Sequence, residues 1–188
     1  MSRWNSKQLV LDASLAAGSK DSMFNPISGL PGDENRKLLE AVWEEEHVAV
    51  FNSQLRREWR DHAGVSARAW LQRMDQKERI LVNEGSEFSV LQQAACDCQA
   101  SDRQKAALEK DFHLVQSALA TGQVIVSNET RFPRYVAIAC ASVKQLQVLH
   151  YANPTVEGDA CRLWIKAGAE KEPSRRIDIW AERPCGSD

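Results

Sequence analysis

One segment, residues 109–130, constrains the fold of this chain more than any other. Its first half continues an amphipathic helix whose apolar face carries Leu108, Phe112, Val115 and Leu119. Thr121 and Gly122 predict the end of that helix, because glycine readily adopts the left-handed conformation past a last helical turn. The β-branched run 124–126 predicts a short buried strand, and the polar residues 127–129 come at its carboxyl end. In open α/β sheets, ligands bind at that edge.

Asp111 is the awkward residue of this segment. It lies three residues after Leu108 and four before Val115, so its carboxylate borders the buried stripe of the helix. An acid at such a place is costly unless something compensates its charge. The position therefore predicts a partner for Asp111.

The rest of the chain alternates in the same way between apolar strands and amphipathic helices. Apolar runs predict strands at 8–12, 48–51 and 148–151, and apolar spacing predicts helices at 36–46, 54–62, 66–77, 88–98, 135–143 and 156–168. The predicted helix caps are Asp33, Asn52 or Ser53, and Ser101. Residues 25–33 are predicted to form a loop, and Pro133 is expected to break the chain.

This alternation predicts a three-layer α/β domain with a mainly parallel central sheet. We expect the domain to span residues 1–154. Residues 155–188 are expected to add a C-terminal helix and, from Lys171 onward, an extension that packs on the domain or trails from it and is not part of the core.

Composition narrows the function classes. The net charge is −2 over 188 residues, so the chain lacks the basic field of many nucleic-acid binders, and any such surface must be local or supplied by a partner. Five cysteines without paired CxxC spacing argue against a disulfide scaffold and a zinc site. No apolar stretch reaches the roughly 18 residues of a membrane helix, so we expect a cytoplasmic protein.

Four acids are tied to the predicted strands. Asp12 ends the first strand, Glu58 lies on the helix after the second, Asp111 precedes the strand at 124–126, and Glu129 follows it. In a parallel sheet these places can converge on one edge, where carboxylates raise each other's pKa. A divalent cation removes that conflict, and hard oxygen ligands suit Mg²⁺ or Mn²⁺. Two such ions roughly 3.5–4 Å apart can activate water and stabilise the leaving oxygen of a phosphodiester.

Each acid also has a simpler interpretation. An acid after a strand is more often a cap or a solvated turn, and Asp111 could be an exposed edge of its helix. Glu58 could pair with Arg57, Arg60 or His62. Asp12 alone would suit a phospho-accepting aspartate, but phosphatases of the haloacid-dehalogenase type have a second aspartate where this chain has Ser14. The four acids together favour the metal site. His113 is expected at the surface.

The order of these residues resembles the PIN-domain family of metal-dependent ribonucleases. The match covers about residues 8–150, through QLVLDAS, LRREW and DFHLVQSALATGQVIVSNETRF. Asp12, Glu58 and Asp111 fall on the family's three acids, with Ser14 as the small polar residue beside the first. Residues 127–129 stand where the family usually has Thr-Asn-Asp, so the last acid, Glu129, is one methylene longer than the usual aspartate. Phe132 stands where an aromatic residue often follows in the family.

The resemblance implies an endoribonuclease that uses Mg²⁺ or Mn²⁺. Asp12, Glu58 and Asp111 would bind the metal and Glu129 would complete the site; the residues with implied supporting roles are Ser14, Ser127 and Asn128. RNA phosphates would meet Arg57, Lys110 and Arg131. The family also suggests a bacterial toxin that a protein antitoxin blocks, often in a dimeric assembly. The alternatives are a non-catalytic PIN-like module that binds RNA or a protein, and an α/β domain that uses Asp12 in phosphoryl transfer.

Overall fold

A parallel sheet forms the centre of the protein. The computed structural model describes residues 7–17, 31–84 and 88–183. Within these residues five strands pair in the order β3-β2-β1-β4-β5, and every neighbouring pair is parallel. The strands are β1 Gln8–Leu11, β2 Val48–Phe51, β3 Ile80–Val82, β4 Val124–Val126 and β5 His150–Ala152. The predicted three-layer α/β architecture is confirmed.

Helices cover both faces of this sheet. The connections from β1 to β3 run one way along the sheet and those from β3 to β5 the other way, so right-handed crossovers place the two sets on opposite faces. The helices are α1 Ala13–Ala17, α2 Pro31–Glu44, α3 Ser53–His62, α4 Val65–Gln76, α5 Ser89–Asp97, α6 Asp102–Leu119, α7 Phe132–Cys140, α8 Pro154–Glu157, α9 Asp159–Lys166 and α10 Ile177–Trp180. Short 3₁₀ helices lie at Lys144–Val148 and Pro173–Arg175. No helix among the described residues is long and apolar enough to cross a membrane.

The strand order places a crevice between β1 and β4. The chain leaves β1 toward β2 and leaves β4 toward β5, so the two connections diverge above the carboxyl ends of adjacent strands. Asp12 N, just past β1, donates a 3.0 Å hydrogen bond to Val126 O at the end of β4. Ligands bind at such a switch point in open α/β sheets. The predicted site of the four acids, at the carboxyl ends of β1 and β4, lies there.

Several predicted helix boundaries are wrong. Helix α2 begins at Pro31, so Asp33 lies within its first turn and is not the N-cap. Most of the predicted loop 25–33 falls outside the described residues. Pro133 occupies the second position of α7, where its missing N–H would be unpaired in any case, and it does not break the chain. The predicted helix 156–168 is two helices, because Gly158 between them has a φ of 53°.

Gly122 is required for a different reason from the predicted one. Helix α6 ends at Leu119, and the residue with a left-handed backbone is Gln123, with a φ of 64°. A Cβ added to Gly122 would lie 1.9 Å from the carbonyl oxygen of Gln8. The glycine therefore lets the turn before β4 pass directly against the start of β1.

The C-terminal segment is part of the core, contrary to the expected extension. Ile177 and Trp180 are buried, and the Trp180 ring packs 4.6 Å from that of Tyr151 on β5. Ile177 N donates a 2.8 Å hydrogen bond to Leu149 O, which ties the segment to the outer side of β5. The sequence around Ile177 and Trp180 does not indicate that a distant strand, β5, will pack against them.

Candidate active site

All four predicted acids line one cavity at the carboxyl edge of the sheet. The cavity has a volume of about 380 Å³. Its walls include Asp12, Glu58, Asp111 and Glu129, the predicted Ser14 and Lys110, and the additional residues Ala13, Ala17, His62, Leu114 and Phe132. Four chain positions separated by many residues thus meet where the sequence analysis expected them.

Two serines hold the carboxylate of Asp12. The hydroxyls of Ser14 and Ser127 each donate a 2.6 Å hydrogen bond to Asp12 Oδ2. No described residue donates to the other oxygen, Oδ1, although Asp12 is only 9% exposed. The carboxylate is therefore fixed through one oxygen, and the other oxygen is left for a ligand in the cavity.

The turn 127–129 is fixed from both sides. Asn128 donates its backbone N–H to Ser14 Oγ at 3.0 Å and its side-chain amide to Ser14 O at 3.1 Å. The carbonyls of Ser127 and Glu129 share the single proton of the Tyr151 hydroxyl, a residue that the sequence did not indicate. Burial holds the pKa of Tyr151 well above its usual value, so the hydroxyl remains a donor. The Glu129 side chain itself is exposed at the cavity rim.

Glu58 is held by its own helix and by α6. Gln54 Nε2 donates a 3.0 Å hydrogen bond to Glu58 Oε1, and His113 Nε2 lies 3.6 Å from Glu58 Oε2. Neither Arg57, Arg60 nor His62 pairs with it among the described contacts. Glu58 lines the cavity with its side chain 28% exposed.

His113 is buried, contrary to the expectation of a surface residue. It is 8% exposed, and its Nδ1 lies 3.1 Å from Lys110 O, to which a protonated Nδ1 donates. Its Nε2 has no hydrogen-bond partner among the described residues. Helix α6 contacts both the sheet and α3, so more than one of its faces is buried. The single apolar face predicted from the sequence therefore includes too few of its buried residues.

Asn52 links the two helices that carry acids. It is the N-cap of α3, where Oδ1 accepts a 2.7 Å hydrogen bond from Leu55 N. Its amide nitrogen donates to His113 O at 3.1 Å and to Ser117 Oγ at 2.9 Å, both on α6. The predicted cap therefore also sets the position of Glu58 relative to Asp111.

Asp111 is half-buried and electrostatically unfavourable. Burial raises the pKa of its carboxyl, and the nearby Asp12 and Glu129 raise it further, while Lys110 and His113 act in the opposite direction. The Lys110 ammonium lies 3.7 Å away but is itself 75% exposed, so solvent weakens its compensation. Asp111 thus retains the unmet charge that its sequence position predicted.

Asp111→Asn should raise the thermal stability of the metal-free protein at pH 7. The pKa of the Asp111 carboxyl is higher in the folded protein than in the unfolded protein. The carboxyl therefore contributes fully to stability only below its unfolded pKa of about 3.9, and this contribution is lost as the pH rises through the folded-state pKa. Thermal unfolding in a chelator measures the gain, and each kcal/mol should raise Tm by about 2–4 °C.

The gain should shrink as pH falls toward 4, where the wild-type carboxyl also becomes neutral. Glu109→Gln, which removes an exposed acid from the same helix, is the control and should change Tm little. A lower Tm for Asp111→Asn than for wild type at pH 7 would contradict this account of the site.

The three predicted RNA contacts occupy different places. Lys110 lines the cavity. Arg131 is the exposed N-cap residue of α7, directly before the cavity residue Phe132. Arg57 is exposed on α3 but does not line the cavity. The structure therefore brings one of the three, Lys110, to the acids, and Arg131 only adjoins a cavity residue in sequence.

The donor set suits a hard divalent cation in its chemistry. All four side chains offer carboxylate oxygens, and Asp12 Oδ1 is not used by a described donor. As the side chains lie, no group of three or more His, Cys, Asp or Glu residues among those described is close enough to hold one ion. Glu58 is turned to Gln54 and Glu129 toward solvent, so binding would require these longer side chains to rotate inward.

No protein-family model, no curated protein and no solved structure gives a significant match to this chain.

Proposed function

We propose that this protein is a Mg²⁺- or Mn²⁺-dependent endoribonuclease that hydrolyses RNA phosphodiester bonds at the cavity of the four acids. The observation that carries the proposal is the convergence of Asp12, Glu58, Asp111 and Glu129 on one cavity at the switch point of a parallel sheet. Carboxylates gathered in this way destabilise one another unless a cation joins them. The raised pKa of Asp111 supports that reading.

Each acid has a role that follows from its setting. Asp12, held by two serines, would offer Oδ1 as a pre-oriented ligand. Asp111 would bind beside it, and Glu58 and Glu129 would complete the set from the helix and the rim. When bound, the cation supplies a Lewis acid that activates water and stabilises the leaving oxygen.

The substrate and partners follow from charge and from the family resemblance. The exposed ammonium of Lys110 at the cavity can meet a phosphate, whose contacts are electrostatic and salt-sensitive. The PIN-like order of the acids extends the proposal to a cytoplasmic toxin with a protein antitoxin and a homodimeric assembly. The near-neutral net charge suits a nuclease that works with a protein partner.

Two measurements on the wild-type protein test the proposal. Calorimetry should show Mn²⁺ binding at or below millimolar concentration, and labelled single-stranded RNA should be cleaved internally only when Mg²⁺ or Mn²⁺ is present. A chelator should stop the reaction, and added metal should restore it. RNA binding without metal binding or cleavage would replace the enzyme with a non-catalytic PIN-like module. A stable acyl-phosphate on Asp12 would instead identify a phosphoryl-transfer protein.

A further inference from the structure

A second cavity lies on the other side of α3 from the acids. It has a volume of about 500 Å³ and is bordered by α3 and α4, with Ala63 between them. Its rim carries three arginines, Arg56, Arg60 and Arg68. Its apolar lining is the partly exposed Leu71 over the buried Trp59 and Ala63. We call this cavity the arginine groove. Its size is within the range of small-ligand sites.

The arginine groove has an excess of positive charge. Asp75 is the one acid among the residues that line it, and it lies 3.5 Å from Arg56. Both partners of that pair are exposed, at 43% and 63%, so the ion pair is weak and Arg56 can exchange Asp75 for another anion. Arg60 and Arg68 are exposed, and neither has an ion pair with any residue that the structure describes. Two guanidinium groups are therefore available to an anion.

The combination of an apolar wall and cationic rim matches the two parts of a nucleotide. Guanidinium groups bind phosphate through paired donors and also stack on base faces. Leu71 is partly exposed and offers the base an apolar surface, above a floor formed by the buried Trp59 and Ala63. A free inorganic anion would use only the rim, whereas a nucleotide would use both.

The position of the groove connects it to the acid cavity. Glu58 and His62 line the acid cavity, while Arg56 and Arg60 on the same helix line the groove. Only α3, with a diameter of about 10–12 Å including side chains, separates the two sites. A strand that presents one phosphate to the acids can therefore reach the groove by crossing one helix.

We propose that the arginine groove is a second RNA subsite, which holds the phosphate and base of a nucleotide several positions away from the scissile bond in single-stranded RNA, across α3 from the acids. Its place on the substrate path rests on the proposed nuclease function, but its affinity for RNA can be measured without cleavage. An acidic protein segment would meet the same charges. The proximity of the groove to the acid cavity across α3 favours RNA, and unpaired bases are free to leave the stack.

Binding of labelled single-stranded oligouridine, followed by fluorescence anisotropy over a salt series, tests the proposal. All proteins carry Asp12→Asn so that cleavage does not interfere. Adding Arg60→Gln and Arg68→Gln together should weaken RNA binding at low salt by about tenfold or more. The slope of log affinity against log salt should become shallower by about 1.4, since each phosphate contact on a single strand contributes about 0.7.

The control removes the same charge elsewhere. Arg103→Gln with Lys144→Gln changes two exposed basic residues that line neither cavity, and it should leave affinity and salt slope close to those of the parent. Equal affinity for the groove variant and its parent would overturn the proposal, as would an equal loss in the control. Loss of binding to an acidic peptide with unchanged RNA binding would assign the groove to a protein instead. Absence of RNA binding by the parent also overturns it.

Kinetics with an intact Asp12 separate this proposal from the nuclease function. The groove variant should raise KM for long RNA and leave kcat within about twofold, because it removes binding that ground state and transition state share. A trinucleotide too short to span α3 should be cleaved equally by variant and wild type. Mn²⁺ binding should be unchanged. If wild type shows no cleavage but RNA affinity still depends on Arg60 and Arg68, the nuclease function fails and the RNA subsite stands.

Discussion

Asp12→Asn should lower metal-dependent RNA cleavage by at least about a hundredfold in kcat/KM, a loss of about 2.7 kcal/mol of transition-state stabilisation. The substitution keeps the shape of the side chain but removes the charge and replaces one oxygen with an amide. Asp12 is the acid that the protein orients most firmly, through Ser14 and Ser127. Its loss should therefore affect the site more than loss of the exposed Glu129.

Mn²⁺ calorimetry on the same variant should show binding weakened in parallel with cleavage. Ser14→Ala, which removes one donor to Asp12 Oδ2, should give a smaller loss of about 10–100-fold, as is usual for outer partners of metal ligands. Asp61→Asn removes an exposed aspartate on α3 that does not line the cavity, and it should leave activity unchanged. Full cleavage by Asp12→Asn, with unaltered metal dependence, would show that the active site lies elsewhere.

Glu157→Gln should destabilise the protein by about 3–5 kcal/mol, because it leaves a buried arginine without its counter-charge. Glu157 Oε2 lies 2.6 Å from Arg175 Nη1, and these side chains are only 6% and 7% exposed. Glu157 Oε1 accepts hydrogen bonds from Trp180 Nε1 at 2.8 Å and from Asn153 N at 2.9 Å. This one carboxylate joins the end of β5 to the C-terminal segment.

Thermal unfolding should show a drop in Tm of roughly 6–20 °C for Glu157→Gln. Glu172→Gln is the matched control, because its carboxylate lies 3.9 Å from Arg175 Nε but is 51% exposed, and it should cost at most about 1 kcal/mol. Combining Glu157→Gln with Arg175→Met should recover part of the loss, since the buried charge is then removed as well. Equal, small effects of Glu157→Gln and Glu172→Gln would mean that the C-terminal segment contributes little to the stability of the fold.

Local signals were enough for four of the five strands and for the positions of the acids, whereas the half-exposed edge strand β3 was not predicted. Buried parallel strands are short runs of β-branched and apolar residues, and such runs stand out without knowledge of their neighbours. Caps behave in the same way, because Asn52 and Ser101 each bond a backbone N–H three residues ahead. Parallel pairing then brings residues after strands to one edge, which is why Asp12 and Glu129 could be expected together.

Long-range contacts decided the remaining features. The need for Gly122 comes from Gln8, and the burial of His113 comes from the second face of α6. The sequence by itself determined four strands of the sheet, its mainly parallel sense and the acids that lie at its carboxyl edge. Only the tertiary structure decided which side chains surround those acids, and that the last helix closes over β5, because both depend on contacts between residues that are distant along the chain.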